Sequence, residues 1–203
     1  MISSTRTVLA VIAVVALASS SWAASPTDEL RSYVDRVVAV LENPEMKGAE
    51  HNADRHRAVR AIVDEGLDFR EAARRTLGPY WDARTPAEQG RFIELFTTLI
   101  DNAYVAKVKV YDGEKVAYDS EQVAGTYARV SARVTDKEGE VTPVDFHLAR
   151  GADGHWRVYD AVFEGVSLVG NYRSQFQRIM RTGSFQDLQK RIEAHLRTMH
   201  PKD

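Results

Sequence analysis

After Asp112-Gly113 the apolar residues of this chain stop recurring every three or four positions and begin to alternate. Ala128, Val130, Ala132 and Val134 are interleaved with Arg129, Ser131, Arg133 and Thr135. Val144, Phe146 and Leu148 are interleaved with Asp145 and His147, and Trp156, Val158, Asp160 and Val162 repeat the pattern. Side chains two apart on a strand share a face, so each segment reads as a strand with one buried side. The connections, around Lys137-Glu138-Gly139-Glu140 and Ala152-Asp153-Gly154, are too short for a crossover. They dictate hairpins, and therefore an antiparallel sheet. A weaker strand over 116–123 brings the expected number to four.

Helical spacing governs the chain on either side. Ser25-Pro26-Thr27-Asp28 is a helix start, with Ser25 as cap and Pro26 first, and Leu30, Val34, Val37, Val38 and Leu41 follow up to Asn43-Pro44. Val59, Ile62 and Val63 mark a second helix closed by Gly66. Asp68-Phe69-Arg70-Glu71 is a capping box for a short third helix ending at Gly78-Pro79. Thr85-Pro86-Ala87-Glu88 opens a long one carrying Phe92, Leu95, Phe96, Leu99, Ile100, Ala103 and Tyr104. After the strands, Ser167 caps a segment with Leu168, Val169, Tyr172, Phe176 and Ile179, and Ser184 caps a last one with Leu188, Ile192 and Leu196. The expected fold class is α+β: a curled, antiparallel, four-stranded sheet covered on one face by N- and C-terminal helices.

Arg6 precedes an apolar run over 8–18, which gives way to Ser19-Ser20-Ser21-Trp22-Ala23. A positive start, a short apolar stretch and small residues at Ser21 and Ala23 make a secretory signal peptide over 1–23, cleaved after Ala23. The run is too short to span a bilayer. A single domain over 24–203 remains, exported, with the bacterial periplasm as its expected location. The chain has no cysteine, which excludes a disulfide scaffold, a thiol nucleophile and a Cys-ligated metal. Its formal net charge is only −2, so no global field draws it to nucleic acid. The excess of cations lies after Gly165, a weak pointer to anionic headgroups or an acidic partner.

Motifs of catalysis are sparse. The six histidines stand at no metal-ligand spacing, and no glycine-rich phosphate loop is present. The run Gly165-Val166-Ser167-Leu168-Val169-Gly170 is no nucleophile elbow, because Val169 stands where that motif needs glycine. Asp160 and Glu164 are the one carboxylate pair worth weighing. Four apart at a strand end they could share acid–base work, or could simply accept hydrogen bonds at a strand-to-helix junction.

Trp156, the strand end Val158-Tyr159-Asp160, Glu164-Gly165-Val166-Ser167-Leu168 and Asn171-Tyr172-Arg173-Ser174-Gln175-Phe176 closely resemble the signature of the MlaC family. Asp68-Phe69 leading to Leu77-Gly78 and Trp81, and Thr85-Pro86 leading to Phe92, Phe96 and Tyr104, are similar to it as well. Ala161 departs from the larger aliphatic residue common there. The likeness covers nearly all of the chain after the leader. It implies a phospholipid carrier without catalytic activity or cofactor. Family members work in the periplasm, between an outer-membrane lipoprotein–porin complex and an inner-membrane ABC transporter, and so maintain outer-membrane lipid asymmetry. A branch associated with hopanoid synthesis shares the motifs, so a hopanoid is the alternative cargo.

A carrier needs a closed apolar space, since each methylene exposed to water costs about 0.8 kcal/mol. The natural place is between the concave sheet face and the helices. Periodicity together with the family likeness assigns its lining to Phe96, Leu99 and Tyr104 from the long helix. Val130, Val144, Phe146, Leu148, Val158 and Val162 are the expected strand contributions, with Val166, Val169, Tyr172 and Phe176 closing the space. Two rival readings stand beside the carrier: a hydrolase or isomerase using Asp160 and Glu164, and an adaptor whose apolar faces merely fill a core.

Overall fold

A computed structural model describes residues 24–103 and 113–199. The leader over 1–23 and Tyr104 lie outside the described residues. Four helices come first: α1 (Pro26–Glu42), α2 (Asn52–Gly66), α3 (Phe69–Leu77) and α4 (Pro86–Ala103). Five strands follow: β1 (Lys115–Ala124), β2 (Tyr127–Thr135), β3 (Val141–Arg150), β4 (Trp156–Phe163) and β5 (Val166–Ser167). Helices α5 (Leu168–Thr182) and α6 (Phe185–Met199) end the described chain.

The sequence's capping residues do the work expected of them. The Ser25 hydroxyl accepts from the Asp28 N–H at 3.1 Å, and Asp68 accepts from the Glu71 N–H at 2.8 Å. Thr85 and Glu88 exchange hydrogen bonds in a reciprocal capping box, and Ser184 and Asp187 do the same at α6. Each satisfies backbone donors that a helix start otherwise leaves without partners.

The strands form one antiparallel sheet in the order β1-β2-β3-β4-β5. The sheet thus has five strands where the alternation gave four. Glu164 (φ 48°) and Gly165 (φ 81°) make a two-residue turn with both residues left-handed, which folds Val166 and Ser167 back onto Phe163 and Val162. A two-residue strand is too short to show alternation in a sequence.

Two bulges change which residues face the helices. On β4, Leu148 pairs with Val158 but His147 pairs with Asp160, so Tyr159 is one residue extra. Beyond it the parity reverses: Ala161 and Phe163 lie across from Phe146 and Val144, while Val162 lies across from Asp145. Val162, expected to face the helices, therefore shares the polar side of the sheet. Asp119 is the corresponding extra residue on β1, where Tyr118 pairs with Ala132 and Ser120 with Ser131.

Apolar residues gather in two clusters. One joins α3, α4, α5 and α6 around Phe92, Phe96, Phe176, Phe185 and Leu188. The other seats Leu30 of α1 on the concave sheet face, against Ala128, Val130, Leu148, Trp156 and Val158. The N-terminal end of α1 is fixed to the sheet by polar contacts. Glu121 accepts from the Thr27 N–H at 2.8 Å, and buried Glu29 accepts from the Trp156 N–H at 2.7 Å. At the other side of β4, Leu67 bridges Val158, with the Asp68 N–H donating to the Val158 carbonyl at 2.9 Å. The α2–α3 junction is thereby sewn to the sheet.

Candidate functional site

Between the two clusters lies a cleft of ≈ 670 Å³. Helix α1 supplies Leu30, Tyr33, Val34, Val37, Val38 and Leu41; α2 and α3 supply Ile62, Val63, Gly66, Phe69 and Ala72. Phe96 and Ile100 come from α4, and Leu168 and Val169 from α5. The sheet contributes Val116, Val134, Phe146, Val158, Tyr159, Ala161 and Phe163. Leu30 is buried, but Val34, Val37, Val38 and Leu41 are only half-buried. An apolar stripe that reaches the interior and is not covered there is the mark of a space rather than a core.

Polar groups at this surface are few. Among the described residues Asp68, Asp160 and Glu114 are its acidic members, and no lysine or arginine belongs to the lining. Asp68 is occupied as the cap of α3. Asp160 accepts from the Val169 N–H at 2.9 Å and from the Ser167 hydroxyl at 2.6 Å, while Ser167 itself accepts from the Gly170 N–H at 2.8 Å. The two side chains together hold the start of α5, where a negative charge also suits the helix dipole. Tyr33 closes over Gly66: a Cβ at Gly66 would meet the tyrosine ring at 2.9 Å, so only glycine lets ring and helix approach this closely. Burial, reinforced by the nearby Glu29 charge, pushes the Tyr33 phenol above its usual range.

Of the residues the sequence assigned to this lining, the structure brings Phe96, Phe146, Val158 and Val169 to the cleft. The others occupy different places. Leu99 and Phe176 are buried in the helical cluster, and Tyr172 packs against it. Val130 and Leu148 are completely enclosed under Leu30, and Val144 is buried as well. Val162 is turned to the other face by the β4 bulge, and Val166, at 64 % exposure, stands on the β5 tip in solvent. Tyr104 falls outside the described residues. The α1 valines, missed as lining, did carry a signal: an aliphatic stripe without a single aromatic ring after Tyr33.

Asp160 and Glu164 do not form a dyad in the cleft. Asp160 is buried and used as a helix anchor, whereas Glu164 is exposed on the left-handed turn and is not part of the lining. Of the two roles open to the pair, Asp160 has the structural one. Among the described residues no three His, Asp or Glu side chains are grouped to hold a metal ion. No described helix is long and apolar enough to cross a membrane.

Comparison with known proteins adds three findings. The family described as MlaC protein matches residues 31–194. The intermembrane phospholipid transport system binding protein MlaC of Haemophilus influenzae is 28% identical over 119 residues, which cover 55% of this chain and 56% of that protein. The chain thus aligns with little more than half of that relative's length. A phospholipid-binding protein of Ralstonia solanacearum, solved in complex with a phospholipid, superposes with a TM-score of 0.74 at 23% identity, over 87% of this chain and 99% of that one. That superposition establishes a shared α+β fold.

Proposed function

The chain belongs to the MlaC family, and from that premise we propose that it is a soluble carrier of phospholipid, holding acyl chains in the cleft between α1 and the sheet. The observation that carries this reading is the cleft itself: ≈ 670 Å³ of space with an almost wholly aliphatic and aromatic lining. That volume lies well within the range of ligand-binding cavities. Each buried methylene contributes about 0.8 kcal/mol, so the more of an acyl chain this apolar lining covers, the more of the cost of leaving a bilayer is offset.

The lining also says which part of the lipid stays out. Among the described residues a phosphate in the cleft would find no lysine or arginine in the lining and would meet the carboxylates of Asp68, Asp160 and Glu114. Burying it without paired donors is costly, so the headgroup remains in water while the chains go in. On this reading the leader over 1–23 delivers the protein to the periplasm. There it moves lipid between an outer-membrane lipoprotein–porin complex and an inner-membrane ABC transporter. The named relative's role in intermembrane phospholipid transport supports that assignment.

Native mass spectrometry of protein purified from the periplasm without detergent tests the proposal. Copurifying diacyl phospholipid, lost in Val134→Trp, is the expected result. Protein that stays empty after incubation with phospholipid vesicles overturns it, and a hopanoid in the extract would change the cargo.

A further inference from the structure

The cleft reaches solvent at one end of the sheet, and that end has a character of its own. Phe163 lines the cleft yet is 47 % exposed, so the apolar lining continues out onto the surface there. Its partner across the β4–β5 turn, Val166, is 64 % exposed. The β4–β5 turn is tied to strand β3, because the Glu164 N–H donates to the Pro143 carbonyl at 3.2 Å. Exposed apolar residues scattered singly need no account; a cross-strand pair that continues the lining of an apolar cleft does.

Charge around this group is one-sided. The β2–β3 turn carries Asp136, Glu138 and Glu140, the β4–β5 turn carries Glu164, and Glu114 stands just before β1. Against these carboxylates the described residues of this end offer Lys115 and Lys137, the latter 4.0 Å from Glu138. An anionic bilayer surface repels such a rim. A protein surface with an apolar centre and a cationic border complements it.

Resting on the carrier reading above, the geometry points to the Phe163–Val166 hairpin and its acidic border as the face through which cargo is handed over, docked on a partner protein whose own apolar mouth is ringed by lysine and arginine. Acyl chains crossing between two such mouths never meet water. The acidic border aligns the two mouths and keeps the carrier from settling on anionic membrane.

Site-specific photo-crosslinking from full-length protein in its native host tests this. The photoreactive residue is placed at Val166 and, as a control, at Val123, which is exposed at the opposite end of the sheet. The expected result is a protein adduct from Val166 only, with the crosslinked peptide bordered by Lys or Arg. In an E138K/E140K/E164K background the adduct falls about tenfold, the scale on which charge complementarity acts on encounter. These three side chains lie outside the lining, so bound phospholipid measured by mass spectrometry stays unchanged in that variant. A lipid-only adduct, an adduct indifferent to the charge reversals, or wild-type protein that floats with phosphatidylethanolamine–phosphatidylglycerol vesicles overturns the docking inference. Absence of copurifying lipid in wild type would instead remove the carrier reading, a separate measurement on the same samples.

Discussion

Helix α4 and helix α1 both carry an apolar stripe at the same spacing, and only one of them closes on its neighbours. Around α4 the fillers are rings. Phe92 meets Phe176 edge-on at 5.7 Å and Phe185 at 6.0 Å, while Phe96 meets Tyr172 at 5.6 Å, nearly perpendicular. Four helices contribute to this cluster, and Phe92 is wholly enclosed. Beneath α1 the fillers are valines and leucines, facing Val116, Val134 and Phe146 on the sheet. Only Leu30, next to the contacts of Thr27 and Glu29, is seated firmly. Farther along, short side chains on both walls leave the gap between them open. A stripe met by rings from two other helices gives a packed layer here, and an aliphatic stripe with a sheet opposite gives a space.

Truncation is the harshest way to break this comparison. Phe92→Ala should cost about 3–5 kcal/mol, read as a lower urea midpoint, because three ring contacts and a closed environment are lost together. Added volume separates the two regions next. Ala73→Leu, at a fully buried position of the helical cluster, should cost about 1–3 kcal/mol by overpacking. Val134→Trp should shift the midpoint by less than about 1 kcal/mol and still abolish lipid loading, since its ring would enter existing space. Equal damage from both would mean that the cleft is a core.

Asp160→Asn acts at the seam between the regions. It removes the charge that receives the Val169 N–H and the Ser167 hydroxyl, and should cost about 1–2 kcal/mol, with fraying at the start of α5 visible by hydrogen exchange. The smallest effect belongs to Tyr118. Burial, with some help from the Asp35 charge and against the Arg31 guanidinium over its ring, pushes its phenol up to about 12. A phenol raised on folding favours the native state below its unfolded value near 10, and that contribution disappears as pH climbs through 12. Its hydroxyl has no hydrogen-bond partner among the described residues. Tyr118→Phe should therefore leave the melting temperature at pH 7 unchanged or slightly higher and make the decline between pH 10 and 12 shallower.

Much of the architecture was legible in the residues, because caps and alternation are local. Ser25, Asp68, Thr85, Ser167 and Ser184 each announce a helix start within four residues, and each cap is made. The meander follows in the same way from turns that are too short for anything else. The site was less legible. Alternation says that Val158 and Val162 share a face only while the ladder stays regular, and the extra Tyr159 breaks it between them. Periodicity identifies the apolar side of α1 but carries no information on how far away the opposing wall stands. Leu99, Val130 and Leu148 looked like lining for that reason, and packing enclosed them instead.

The uncovered stripe of α1 has a volumetric consequence. A space of ≈ 670 Å³ could hold about 20 water molecules at liquid density, but walls this apolar offer few hydrogen-bond partners, so without ligand it is filled incompletely and part of it is void. Pressure favours the state that occupies less volume, and unfolding eliminates internal voids. Protein stripped of ligand should unfold at distinctly lower hydrostatic pressure than protein with the space filled, and high-pressure fluorescence of its tryptophans would register the difference. A bound lipid would then stiffen the fold by supplying the contacts the walls lack, and the molecule would be at its softest in the interval between releasing one lipid and collecting the next.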